Sequence, residues 1–477
     1  MTIHTDPRAA PAAERSFLDL FHGQKSYFHS DVTKSYEWRI DQLDRMIRML
    51  TENRARFAEA ARSDFKTAVQ EHVFEVEATL ATLEATKAQL AEWMTPVEAP
   101  IPRFLAEGGY KGVVHREPYG VTLVLCPSNG PLLLSLRPAA AALSAGNPCI
   151  LKLSELLPAT NAALLELIPC YFDSGAFAAV TGRREQVAEM LKLPWDFIFL
   201  TGSVAAGKAV MRAAAENLTP VLLELGGQNP AIVDETANIA DAARKLVWGA
   251  TAWGGQWCTS PGYAAVHESV ADSFVAECRK ALVQLYGEDP RGNPDLSRII
   301  DPSAVRRLES LLDPSKVVAG GRFDEASRYF DPTIVYPVSW SDRIMQEEIF
   351  GPVLPILPYS DFEALLARIK SMPRPLAAYM FSRDQRTIDR FTTGLSFGGG
   401  AVNQTNIFLF IETMPFGGVG HSGIGHYYGK HGFDALTHAK SMLVSPPDAV
   451  IEHLFPPFTE EKVRETALWT DYSAPGE

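Results

Sequence analysis

The chain is short of cysteine, of basic charge and of any uninterrupted hydrophobic run. Its five cysteines, Cys126, Cys149, Cys170, Cys258 and Cys278, form an odd set with no Cys-x-x-Cys pair. That excludes a disulfide framework or a zinc site and fits a reducing compartment. Lys and Arg total 44 against 57 Asp and Glu, a net charge of −13. A surface of that sign repels phosphate backbones and anionic bilayers, so nucleic acid and membrane are set aside as partners. The longest apolar region, around Val121 to Ala145, is interrupted by Pro, Asn and Arg, and the start of the chain lacks the apolar core of a signal peptide. A soluble, cytoplasmic protein is the expectation. The late histidines His421, His426, His431 and His438 show no metal-like pairing on one helical face, so no metal site is expected. No internal repeat or low-complexity tract is visible.

What is present is the patterning of a large α/β protein, 477 residues long, enough for two to four domains. Trp38, Ile40, Leu43, Met46, Ile47, Leu50 and Phe57 recur at helical spacing, as do Val73, Val76, Leu80, Leu83 and Leu90. Two long amphipathic helices ending near Pro96 are expected, with both stripes facing a core. Short apolar runs at Val121 to Leu125, Pro148 to Leu153, Phe177 to Val180 and Trp195 to Leu200 alternate with helical sequence, which predicts a parallel, helix-covered sheet. A second alternating region follows from Leu222, with helices over Ile239 to Thr251 and Val270 to Leu285. The hinge between the two regions is expected at Leu218 to Gly227.

Three stretches carry chemistry. In WGGQWCTSPG, Gly254 and Gly255 permit a tight backbone approach that leaves the Cys258 amide free to donate to a developing oxyanion. A thiolate that attacks an aldehyde forms a thiohemiacetal, which loses hydride only to an acceptor above that carbon, so the cysteine needs a dinucleotide site beside it. Thr201, Gly202, Ser203 and Gly207 supply a strand running into a helix N-terminus able to receive phosphate. Their spacing is not that of the Rossmann fingerprint, and Gly202 to Lys208 also satisfies G-x-x-x-x-G-K, although Ala209 stands where a triphosphate loop needs a hydroxyl for magnesium. Glu224, in LELGG, is either an exposed turn residue or a general base for the water that hydrolyses a thioester.

In that order, these stretches resemble the aldehyde dehydrogenase superfamily, and the resemblance runs from about Trp38 to the C-terminus. TPVLLELGG, QEEIFGPVLPIL, PFGGVGHSGIG and the tail FPPFT look especially like its class-three branch, which handles apolar and aromatic aldehydes. The resemblance implies a Rossmann-like cofactor domain (1–100 and 117–221), an α/β catalytic domain (222–420), a small β oligomerisation element (101–116 and 436–450) and a tail (451–477). It implies a homodimer or homotetramer. It implies Cys258 as nucleophile, Glu224 as base and Asn129 as a second oxyanion donor. For the cofactor, NAD with NADP also accepted, it implies contacts from Lys152, Ser154, Glu155, Thr201, Gly202, Ser203, Gly207, Leu225, Gly226, Glu348 and Phe350. A carboxylate at Glu155 favours NAD, whose ribose hydroxyls it accepts, over the extra phosphate of NADP.

Several positions depart from the family pattern. Ser128 and Gly130 flank Asn129 where Trp and Tyr are usual, Trp257 precedes the nucleophile, and Trp253 replaces a usual Asn. Aromatic bulk has left one side of the site and entered the other. The expectation is a reshaped substrate pocket, lined by Ser128, Gly130, Trp257 and Thr259, for a planar or bulky apolar aldehyde. Leu153 and Gln228, in place of a usual Pro and Lys, read as milder changes. A dehydrogenase that passes its acyl group to coenzyme A and a catalytically silent relative remain alternatives at this point.

Overall fold

The computed structural model describes residues 16–473. Nearly all of the stretch considered for a signal peptide lies outside them. The apolar stripe from Trp38 is divided into two helices, Tyr36–Glu52 and Arg54–Asp64, broken at Asn53. A third helix, Val69–Met94, follows, and an unanticipated one, Phe17–Phe28, precedes them. The inward face of Val69–Met94 differs from its apolar reading. Val73 is exposed, whereas Glu71 and Glu75 are buried beside Val76, Leu80 and Leu83.

Two sheets form the body. The first has six strands in the order Gly423–Ile424, Val221–Leu225, Phe197–Gly202, Thr122–Leu125, Cys149–Lys152, Phe177–Val180, all parallel except the first. The second has seven, ordered Val317–Ala319, Thr333–Val335, Val353–Tyr359, Pro261–His267, Asn229–Val233, Ala377–Phe381, Gly399–Val402, again parallel apart from its first pair. Strands buried on both faces explain the near-continuous apolar runs such as Thr122–Leu125 and Asn229–Val233. In the first sheet the strand order reverses between Thr122–Leu125 and Phe197–Gly202, and the loops leaving such a pair in opposite directions open a crevice at their carboxyl ends.

The boundary expected between residues 221 and 222 falls inside a strand. All of Val221–Leu225 lies in the first sheet, with Glu224 level with Thr201, so the chain crosses to the second sheet only after Leu225. The chain also returns late, since Gly423–Ile424 closes the same sheet edge. The small sheet expected from 101–116 and 436–450 has three antiparallel strands, Val97–Ala99, Lys111–Pro118 and Thr437–Val444, the first of them outside the expected range. Asn147 ties this sheet's neighbourhood to the first sheet: its Oδ1 accepts from Gly120 N at 2.9 Å and its Nδ2 donates to Leu436 O at 2.8 Å. Asn147→Ala leaves two buried backbone groups unpaired and is expected to lower stability by about 1–3 kcal/mol, read as an earlier urea unfolding midpoint.

Candidate active site

The crevice at the strand-order reversal is a cavity of about 930 Å³ that reaches Cys258 and the loop bearing Glu348 and Phe350. Cys126 to Asn129 enter it from the loop after Thr122–Leu125, and Thr201 to Ser203 from the end of Phe197–Gly202. Glu224, Leu225, Gly226, Cys258, Glu348, Phe350, Lys152, Ser154 and Glu155 also line it. Most residues singled out from sequence therefore meet in one place. Gly207 does not line the cavity. It lies within the helix Val204–Ala215, where an added Cβ would come within 2.8 Å of Leu225, so its lack of a side chain lets helix and strand pack closely. Ser203 caps that helix by accepting from Ala206 N. With Gly207 packed against Leu225 and Ala209 bringing no hydroxyl to the cavity, the segment lacks what a triphosphate loop needs.

Cys258 is positioned by its backbone. Trp253, Gly254 and Gly255 all take left-handed conformations, with φ of 54°, 63° and 69°. A bulky residue is strained there, and a Cβ at Gly255 would lie 2.2 Å from the Gly351 carbonyl. Gln256 fixes the turn: its Nε2 donates to the carbonyls of Trp253 and Arg298, each at 3.0 Å, and its Oε1 accepts from Ile300 N at 2.8 Å. Asn229, which the sequence did not single out, donates through Nδ2 to the carbonyls of Cys258 (2.8 Å) and Ser260 (2.9 Å). Asn129 Nδ2 donates to Gln256 O at 2.9 Å, which uses one of its two hydrogens and leaves the other free.

Glu224 is fully buried, and its carboxylate lies beside the Cys258 thiol and the Thr201 hydroxyl without closing a well-formed hydrogen bond to either. Burial, with a smaller contribution from the Glu348 charge, pushes its pKa up to about 7. Glu348 is likewise pushed up to about 7 by burial. Burial and the adjacent Glu224 carboxylate push the Cys258 thiol up as well.

The far end of the cavity fits a dinucleotide. Lys152 Nζ lies 3.2 Å from Glu155 Oε2, and the Glu155 side chain is 62 % exposed, so its carboxylate is open to a ribose diol. Val187, Leu191, Ala206, Ala209 and Val210 give the cavity an apolar stretch of lining. Arg184, missed from sequence, also lines the cavity. At the near end, Phe350 has a left-handed φ of 47°, and Arg307 holds its loop through the carbonyls of Glu348 and Ile349. Gln228, read as a mild surface change, braces that loop too, donating to the carbonyls of Ile344 and Glu347. Among the described residues no group of three His, Cys, Asp or Glu side chains is arranged to hold a metal ion.

Behind Cys258 lies a second, apolar cavity of about 50 Å³ bordered by Gly130, Trp257 and Thr259. Ser128, expected with them, lines the larger cavity instead. Trp257 packs on Trp253 with ring centroids 3.8 Å apart, and Phe74 and Phe410 close the cluster edge-on. The space expected to open at Gly130 is taken by Leu134, whose Cγ lies 2.6 Å from where a Cβ would stand. The segment bearing Leu409 and Phe410 is pinned by Glu412, which meets Arg137 at 2.8 Å and accepts from Thr82 Oγ1 at 2.7 Å.

Residues 25–442 match the model of the aldehyde dehydrogenase family. The chain belongs to that family. It is similar to 4,4'-diaponeurosporen-aldehyde dehydrogenase of Staphylococcus aureus (strain NCTC 8325 / PS 47), 39% identical over 89% of this chain and 92% of that one. It is also similar to the dimeric NADP-preferring aldehyde dehydrogenase of Rattus norvegicus, 37% identical over 90% of this chain and 94% of the other. Among solved structures, the substrate-bound state of Staphylococcus aureus AldH superposes with a TM-score of 0.93 at 36% identity, covering 96% of this chain and all of that one.

This aldehyde dehydrogenase is thus an oxidoreductase acting on aldehydes with NAD or NADP. No helix among its described residues is long and apolar enough to cross a membrane. A carboxyl with a folded pKa near 7 and an ordinary value of 4.5 binds more protons folded than unfolded between those limits, so stability falls as pH rises through them. Glu224→Gln is expected to be more stable than the parent at pH 8.5, by on the order of 3 kcal/mol, with that advantage gone near pH 4.5. Urea unfolding at the two pH values checks it. Glu155→Gln, which removes the exposed carboxylate beside Lys152, is expected to lower KM for NADP several-fold and raise it for NAD, measured by initial rates with each cofactor.

Proposed function

We propose that the chain oxidises an apolar aldehyde to its carboxylic acid through a thioester on Cys258. The observation that carries this reading is the buried contact of the Cys258 thiol with Glu224, between a cavity shaped for a dinucleotide and a cavity lined by aromatic rings. Glu224, with its pKa near 7, takes the thiol proton. The thiolate adds to the carbonyl carbon, and the oxygen that becomes negative is received by the Cys258 amide and the free Asn129 N–H. When bound, a nicotinamide supplies the hydride acceptor that the oxidation needs, and Lys152, Ser154, Glu155, Gly202, Ser203, Glu348 and Phe350 are the residues placed to hold the dinucleotide. Once it has released the thiol proton to solvent, Glu224 takes a proton from water, whose oxygen attacks the thioester carbonyl. Collapse of that adduct frees the acid and returns the proton to sulfur.

The aromatic wall of Trp253, Trp257, Phe74 and Phe410 selects apolar aldehydes. With Leu134 seated over Gly130, the room beside Cys258 suits a straight or planar chain more than a branched one. A 4,4'-diaponeurosporen-aldehyde dehydrogenase among the relatives supports a long apolar substrate. We further propose a homodimer or a pair of dimers joined along Thr437–Val444, an edge strand whose Met442, Leu443 and Val444 are each about half exposed. Five cysteines, none of them in a disulfide, support a cytoplasmic setting.

NADH formation without coenzyme A, measured across short, long-chain and aromatic aldehydes, tests the reading. Apolar aldehydes are expected to exceed acetaldehyde in kcat/KM, and Cys258→Ser to lose on the order of a thousandfold or more. A preference for acetaldehyde would end the claim for an apolar pocket, and turnover surviving in the serine variant would end the thioester mechanism. The rate is expected to rise as pH passes through about 7, where Glu224 loses its proton, and Glu224→Gln is expected to abolish that rise and to slow both acylation and deacylation.

A further inference from the structure

The helix Val69–Met94 carries two buried carboxylates one turn apart, Glu71 and Glu75, that no step of the chemistry uses. Residues four apart share one helical face, so both project toward the same side of the site. Glu71 Oε1 accepts from Trp253 N at 2.7 Å, and its Oε2 accepts from Ser297 Oγ at 2.5 Å. Trp253 opens the left-handed stretch that leads to Cys258. Glu75 Oε2 accepts from Leu132 N at 3.0 Å and Leu133 N at 2.9 Å, the amides that follow the turn bearing Asn129. Lys66, fully buried, places its Nζ 3.2 Å from Glu75 Oε1 and 4.7 Å from the centre of the Trp253 ring. The two segments meet at the Asn129 to Gln256 hydrogen bond, which closes a ring of contacts back to the helix.

We infer that Glu71 and Glu75 are positioning residues that set the distance between the two donors of the oxyanion site, the Cys258 amide and the Asn129 side chain. This rests on the roles given to Cys258 and Asn129 above. Burying a lysine with two carboxylates contributes little to stability compared with an apolar trio of the same volume. What the charged set supplies is direction. A carboxylate oxygen accepts two adjacent amides at one point, which no aliphatic side chain does, and it fixes the Leu132 and Leu133 amides relative to Trp253 through a single rigid helix. A displacement of an oxyanion donor by about 1 Å lowers the rate without removing any reacting group.

The variants Glu75→Ala, Glu75→Asp and Glu75→Gln in the full chain separate position from charge. Aspartate keeps the charge beside Lys66 but withdraws the acceptor by one methylene, whereas glutamine loses the charge and keeps an acceptor in place. Two readouts are compared. Acylation by p-nitrophenyl acetate forms an oxyanion, and alkylation of Cys258 by iodoacetamide does not. Acylation, and with it kcat for the aldehyde, is expected to fall on the order of tenfold to a hundredfold in the alanine and aspartate variants. Alkylation is expected to stay within about twofold, because the thiol and Glu224 are untouched. Glutamine is expected to restore most of the acylation, and Glu71→Ala to behave like Glu75→Ala. If the alanine variant does not fold, the aspartate and glutamine pair decides the matter, with thermal midpoints confirming that both are folded. Equal losses in acylation and alkylation, or full activity in the aspartate variant, overturn the inference. Acylation that survives in Cys258→Ser instead overturns the roles on which it rests, so the two failures are told apart.

Discussion

Glu224 sits near the end of a parallel strand, buried at the wall of the large cavity, and no partner there compensates its charge. An isolated ionised carboxylate in such a place is costly, and the cost appears as a pKa moved to about 7. The rest of the site depends on this constraint. In the mechanism proposed for the chain, a base of that strength is matched to a thiol and to water near neutrality, whereas an ordinary glutamate would be too weak to deprotonate either. The same burial, with the Glu224 carboxylate beside it, also pushes the Cys258 thiol up, so the site disfavours two negative charges at once.

Two buried amides, Asn229 and Gln256, share with the Glu71 and Glu75 carboxylates the task of holding the loops around that pair. Asn229 and Gln256 are buried side chains whose polar ends are met by carbonyls and amides of the loops near the nucleophile, so each loop has its backbone groups satisfied without regular secondary structure. The left-handed run at Trp253 shows the strain such a loop retains. An asparagine tolerates that conformation more readily than a tryptophan does. Here the indole is retained by packing against Trp257, Phe74 and the Lys66 ammonium.

Much of the fold was legible because strand and helix periods are local. The parallel strands, the helix Ile239–Thr251 and the motifs that converge on the crevice all announce themselves in short windows of sequence. What stayed hidden depends on contacts between distant segments. Nothing in the order of residues showed that Leu134 would occupy the room above Gly130, or that Gly207 would face Leu225 rather than a phosphate. An apolar stripe assigned the wrong orientation to Val73, because Glu71 and Glu75 point inward toward amides contributed from residues 132, 133 and 253. Asn229 carried no motif, although its position just beyond the LELGG turn places it within reach of the nucleophile's carbonyl.

The late return of the chain to the first sheet bears on how the protein is made. The strand carrying Glu224 lies between Phe197–Gly202 and Gly423–Ile424, and the second of these is synthesised some two hundred residues later. During translation that edge stands unpaired, with the backbone of the base's own strand open to any extended segment nearby. The nascent chain therefore passes through a stage in which the cofactor sheet is largely assembled and its most reactive border is bare. A chain that stops before residue 424 lacks the strand that pairs this edge.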